Sequence, residues 1–135
     1  MSEYLDRAKA LRNAADVHYN CAQSVLLAFA PEAGLTREQA LGAAGAFGSG
    51  MQMGETCGAF TGGLMVLGLF GCSDGQAVTE LREALKKNHG GMFRCADLLR
   101  VNKERGGQKK PHCDGMVYEA VELVEKILRE RGKIA

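Results

Sequence analysis

Gly54-Glu55-Thr56-Cys57-Gly58-Ala59-Phe60-Thr61-Gly62-Gly63-Leu64-Met65-Val66-Leu67-Gly68-Leu69-Phe70-Gly71 is uncharged from Thr56 onward, and a cysteine directly follows the helix-start residue Thr56. With Thr56 as N-cap, Cys57 falls in the first turn of a helix, among unpaired backbone N–H groups and at the positive end of the dipole. A thiol so placed is expected to have a depressed pKa and to serve as nucleophile or metal ligand. Gly54, Gly58 and Gly62, four apart, strip one face of side chains so that another backbone can approach it. The stretch therefore predicts a buried central helix with a reactive cysteine at its N-terminal end. The plain alternative is packing, because a free cysteine often behaves as a small hydrophobe.

The four other cysteines weigh against packing alone. Asn20-Cys21-Ala22-Gln23 carries a cap residue with glutamine three positions later, a relative of the capping box, ahead of the apolar run Val25, Leu26 and Phe29. Cys21 thus also opens a helix. Cys113 sits near the predicted start of the last helix, and Cys95 lies early in a short helix beside Arg94. Core cysteines would scatter along helices, whereas these gather at their starts. Several helix starts are therefore expected to converge on one site, where dipoles and cations such as Arg94 stabilise thiolates. Cys72 differs: an unbroken helix from Cys57 would carry it roughly 22 Å away, against the ~7 Å Cα separation that a disulfide spans. It reads as a packing residue.

Working outward, Leu5, Ala8, Leu11 and Ala15 recur at helical spacing and predict an amphipathic helix from Glu3 to His18. Pro31-Glu32-Ala33-Gly34 ends the helix begun at Cys21, and Thr36 starts another running toward Phe47. Residues 48–54 form a glycine-rich connection that lacks the preceding strand and the lysine of a phosphate-binding loop. Val78, Leu81 and Leu85 mark a helix ending near Asn88, and Met92 to Leu99 a short one. Val101 to His112, with Lys103, Arg105, Lys109 and Lys110, reads as a solvated basic loop. Val117, Ala120, Val121, Val124, Ile127 and Leu128 line the core face of a last helix beginning close to Cys113 and Asp114.

No strand pattern occurs, so the expected fold is all-α: one domain over residues 1–135, a compact bundle of five to seven helices around the glycine-rich central one. With 135 residues the chain can bury a core without staples. A net charge of +1 gives no steering toward nucleic acid, and none is expected as a partner. The run from Thr56 to Ser73 has the length of a marginal membrane span but holds glycines and cysteines and lacks basic flanks at both ends, so a buried helix is expected and no membrane partner. The charged N-terminal residues do not read as a signal peptide, and a cytoplasmic location with reduced thiols is expected.

No Cys-x-x-Cys pair occurs, so any zinc or iron–sulfur site would draw on cysteines distant in sequence. His112 could tune Cys113, while His18 and His89 read as C-terminal cap residues. Asp114 and Glu55 are most simply helix N-terminal acids.

Asn20-Cys21-Ala22-Gln23-Ser24-Val25, then Cys57-Gly58-Ala59-x-x-Gly62-Gly63, Cys95-x-x-Leu98-Leu99 and Cys113-x-x-x-Val117 together resemble the C_GCAxxG_C_C family of redox-active proteins over nearly the whole chain. Cys72 lies outside the pattern. The resemblance implies a small helical protein whose functional residues are the signature cysteines Cys21, Cys57, Cys95 and Cys113. Selenocysteine in relatives fits redox chemistry, and related domains joined to cytochrome modules fit electron transfer.

Three functions follow as expectations. In thiol–disulfide or related redox chemistry, Cys57 attacks and Cys21 or Cys113 resolves. Alternatively, the four cysteines ligate an iron–sulfur cluster or zinc in an electron carrier. The third option is a helical interaction module with structural cysteines. The redox partner is not legible, and the glycine stripes and methionines leave a homo-oligomer open.

Overall fold

The computed structural model describes residues 2–135 and is all-α, with seven α-helices and, among the described residues, no strand beyond one isolated bridge between Thr56 and Arg94. The helices are α1 (Glu3–Arg12), α2 (Cys21–Ala33), α3 (Arg37–Ala44), α4 (Gly58–Leu69), α5 (Gly75–Asn88), α6 (Cys95–Glu104) and α7 (Lys109–Glu130). A short tighter turn, Gly45–Phe47, continues α3. Among the described residues no helix is long and apolar enough to cross a membrane.

The closest packing lies between α2 and α4, and glycine makes it so. A Cβ built on Gly62 would lie 2.8 Å from the Ala22 carbonyl oxygen and 3.1 Å from the Ala22 Cα, while one on Gly58 would lie 2.9 Å from the Phe47 oxygen. Gly63, on the other side, faces Leu81 of α5 and Val124 of α7. Three helices therefore close around α4, and Val66 and Leu67 on it are fully buried. α1 covers α2 through Tyr4, whose ring stacks on Phe29 at 4.5 Å, and through Arg7, which donates to the Ala28 carbonyl and to Glu32.

The capping box predicted at Asn20 and Gln23 is present, and both side chains reach further. Asn20 Nδ2 donates to the Gly45 carbonyl at 3.2 Å and Gln23 Nε2 to the Leu41 carbonyl at 3.0 Å, so the residues that start α2 also hold the end of α3.

Several boundaries differ from expectation. The first helix stops at Arg12 rather than His18, because Ala15, the last member of its apolar stripe, is exposed and the chain turns to bury Tyr19 and reach the extended cap at Asn20. The basic stretch after Val101 is mostly helical: α6 runs to Glu104 and α7 starts at Lys109, leaving residues 105–108 as the connection. Between α3 and α4 the backbone is left-handed at Ser49, Gly50, Met51 and Gln52. For the three non-glycine residues among them this costs roughly 1–2 kcal/mol each. Gly50 is irreplaceable there, since a Cβ would lie 2.5 Å from the Glu55 oxygen and 2.8 Å from Cys95 Cβ.

Candidate functional site

Four helix starts point at one cleft. Cys21 is the first residue of α2, directly after the capping box. Residues 55–57 and 93–95 run side by side, with the Cys57 N–H donating to the Phe93 carbonyl at 2.9 Å and the Cys95 N–H to the Glu55 carbonyl at 2.6 Å. This short ladder launches α4 and α6 from adjacent points. Cys113 lies one turn into α7. The structure thus brings Cys21, Cys57, Cys95 and Cys113, from four helices, to a single cavity of about 290 Å³. All five cysteines are free thiols, and Cys72, fully buried beyond the end of α4, does not line this cavity.

The local chemistry differs from the expectation at Cys57. Cys57, not Thr56, occupies the N-cap of α4, while Thr56 pairs with Arg94. Burial pushes the Cys57 thiol up to about 11, against the pull of the Ala59 and Phe60 N–H groups. Desolvation of a thiolate thus outweighs the helix start. Cys95 is also raised, first by burial and then by the neighbouring Cys113, with Lys109 opposing.

Cys113 behaves in the opposite way. The neighbouring Cys21 thiol, together with the charges of Arg12 and Lys109, overcomes burial and holds Cys113 at about 7. Cys21 moves the other way, raised first by its pairing with Cys113 and then by burial.

Arg12 is the residue that the amino-acid pattern did not single out. It ends an amphipathic helix and carries no local mark of function, yet its side chain is only 4% exposed. Its Nε donates to Asp114 Oδ1 at 2.7 Å and its Nη1 to the Tyr19 carbonyl at 2.7 Å. Lys110 closes the group, donating to Asp114 Oδ2 and to the Arg12 carbonyl, both at 2.9 Å. Burial opposes ionisation of Asp114, but these two cations leave its carboxyl below the usual range. Asp114 therefore acts as the anchor of Arg12. Arg94, expected to serve the thiols, instead binds Glu55 at 2.7 Å on the surface. His18 lines the cleft rather than capping a helix, whereas His89 does cap α5 and meets Glu119 at 2.8 Å.

Replacing Arg12 with glutamine is expected to raise the Cys113 ionisation midpoint, because a neighbouring positive charge is lost. It should also cost about 1–3 kcal/mol of stability by leaving Asp114 and the Tyr19 carbonyl underpaired. The pH dependence of Cys113 alkylation and a urea titration measure the two effects. An unchanged midpoint would remove Arg12 from the site.

Among the described residues no group of three or more His, Cys, Asp or Glu side chains is arranged to hold a metal ion.

Fold and site together define a small all-helical protein with a thiol-lined, cation-bordered cleft. Residues 19–127 match the family model described as "Putative redox-active protein (C_GCAxxG_C_C)", and the chain belongs to that family. The description supports a general redox role. Neither a curated protein nor a solved structure matches the chain.

Proposed function

We propose that the protein performs thiol–disulfide exchange, with Cys113 as the attacking thiolate and Cys21 as the resolving thiol. The observation that carries this reading is that Cys21 and Cys113 line the same cleft, beside Arg12 and Lys109. The Cys113 thiolate attacks one sulfur of a substrate disulfide, forming a mixed disulfide and expelling the other half as a thiolate that takes a proton. Cys21 then loses its proton and attacks the Cys113 sulfur, releasing the second half as a thiol. Two protein thiols are oxidised to one disulfide and one substrate disulfide is reduced to two thiols. The two protein sulfurs close to a bond of about 2.05 Å.

Peptide mapping after mild oxidation tests the scheme. A Cys21 to Cys113 crosslink is expected, with Cys72 free, and Cys21→Ser should trap the mixed disulfide on Cys113. Five thiols that stay equally free would sink it. Iron, sulfide and zinc analysis after anaerobic purification separates exchange from the metal-bound alternative, and stoichiometric metal on the four cysteines would replace the exchange reading.

A further inference from the structure

The lining of the cleft has a charge bias that thiol exchange alone does not require. Arg12, Lys109 and Lys110 border it, and no Asp or Glu does. Arg12 and Lys110 share the one negative charge of Asp114 and so leave a net positive charge, and Lys109 has no ion-pair partner among the described residues. Lys109 is exposed at the first position of α7, and its charge acts on both Cys95 and Cys113. Leu98, Leu99 and Met116 give the same lining an apolar part. The cavity, at about 290 Å³, is sized for a small molecule.

We infer that the substrate of this cleft is a low-molecular-weight disulfide carrying a carboxylate, with Lys109 binding the carboxylate, the apolar part of the lining its methylene groups, and Cys113 facing the disulfide. The inference rests on the exchange reading above and adds the charge of the substrate. The attacking thiolate repels an anionic disulfide; the Arg12, Lys110 and Asp114 group offsets that charge, and the unpaired Lys109 ammonium tips the balance to attraction. Lys109 is here a specificity-determining residue, and the electron balance is that of the exchange already given: the disulfide leaves as two carboxylate-bearing thiols.

The test compares three small disulfides on the reduced full-length chain at low salt: dithiodiglycolate (anionic), hydroxyethyl disulfide (neutral) and cystamine (cationic). Each rate is divided by the rate of the same disulfide with mercaptoethanol, which cancels leaving-group differences. The anionic disulfide should exceed the neutral one by roughly tenfold, as expected for one charge pair across a partly screened gap. Cystamine should fall below both, and the preference should shrink in concentrated salt. Lys109→Gln should lower the anionic-to-neutral ratio, and Lys109→Arg should retain it.

Equal normalised rates, or a glutamine variant that keeps the wild-type ratio, would overturn the inference while leaving exchange intact. If none of the three disulfides produces the Cys21 to Cys113 bond, the exchange reading itself fails, and this inference with it.

Discussion

At pH 7, Cys113 is expected to react with iodoacetamide roughly fifty- to hundredfold faster than Cys57, and Cys113→Ser should abolish that fast phase. With Cys113 held at about 7, about half of it is thiolate at neutral pH, whereas Cys57, pushed up to about 11, holds roughly one thiolate in ten thousand. The gain is partly offset because a less basic thiolate is a weaker nucleophile, with a Brønsted slope of about 0.4–0.5, so the net advantage is near two orders of magnitude. The sign in pH follows from the lowered value: the fast phase is full above about 8, half-developed near 7 and lost as pH falls toward 6. The groups that set this midpoint are Cys21 on α2, Arg12 on α1, Lys109 and Asp114 on α7, with Cys57 and Cys95 facing from α4 and α6. Peptide-resolved labelling across pH 5–9 measures it. A first-labelled Cys57 would invert the assignment of nucleophile.

Two glycine substitutions in α4 should move stability in opposite directions. Gly62→Ala places a methyl 2.8 Å from the Ala22 carbonyl oxygen and 3.1 Å from the Ala22 Cα, and neither is a side chain that can swing away. The two helices must part, and the loss of packing is expected to exceed the gain in helix propensity, for a net destabilisation of about 2 kcal/mol. Gly68→Ala, in the same helix, meets nothing within 4 Å and is exposed. There the smaller conformational entropy of the unfolded chain should raise stability by about 0.5–1 kcal/mol. Urea midpoints for both variants read the pair directly. Since Gly62 holds α4 against the turn of α2 that carries Cys21, Gly62→Ala should also slow formation of the Cys21 to Cys113 disulfide. If both variants shift stability in the same direction, close backbone contact is not what the glycine at 62 provides.

The helices were largely legible in the sequence because their determinants are local. The Asn20 and Thr36 capping boxes, the apolar spacing of the last helix, and the breaks at Gly34 and Gly90-Gly91 each act within a few residues. The stretch that needed most correction, Glu3 to His18, failed because an alanine at the right spacing is no evidence of burial. Ala15 fits the stripe, yet solvent surrounds it. The start of α7 was misplaced for the complementary reason. Lys109 and Lys110 look like loop residues by charge, but they form the first turn of a helix and aim at the cleft and at Asp114.

The identity of the four cysteines, their positions at or near helix starts and the glycine-lined helix among them were set by the linear order of residues alone. Which of those sulfurs carries charge was decided only in three dimensions. The helix start that should have favoured Cys57 is outweighed by the desolvation of a nearly enclosed thiol. Cys113, in no better place along the chain, is lowered by Cys21, a residue 92 positions away, and by the charge of Arg12, itself fixed through Asp114. Ionisation depends on solvent access and on neighbours across space, and neither is encoded at the position of the ionising group.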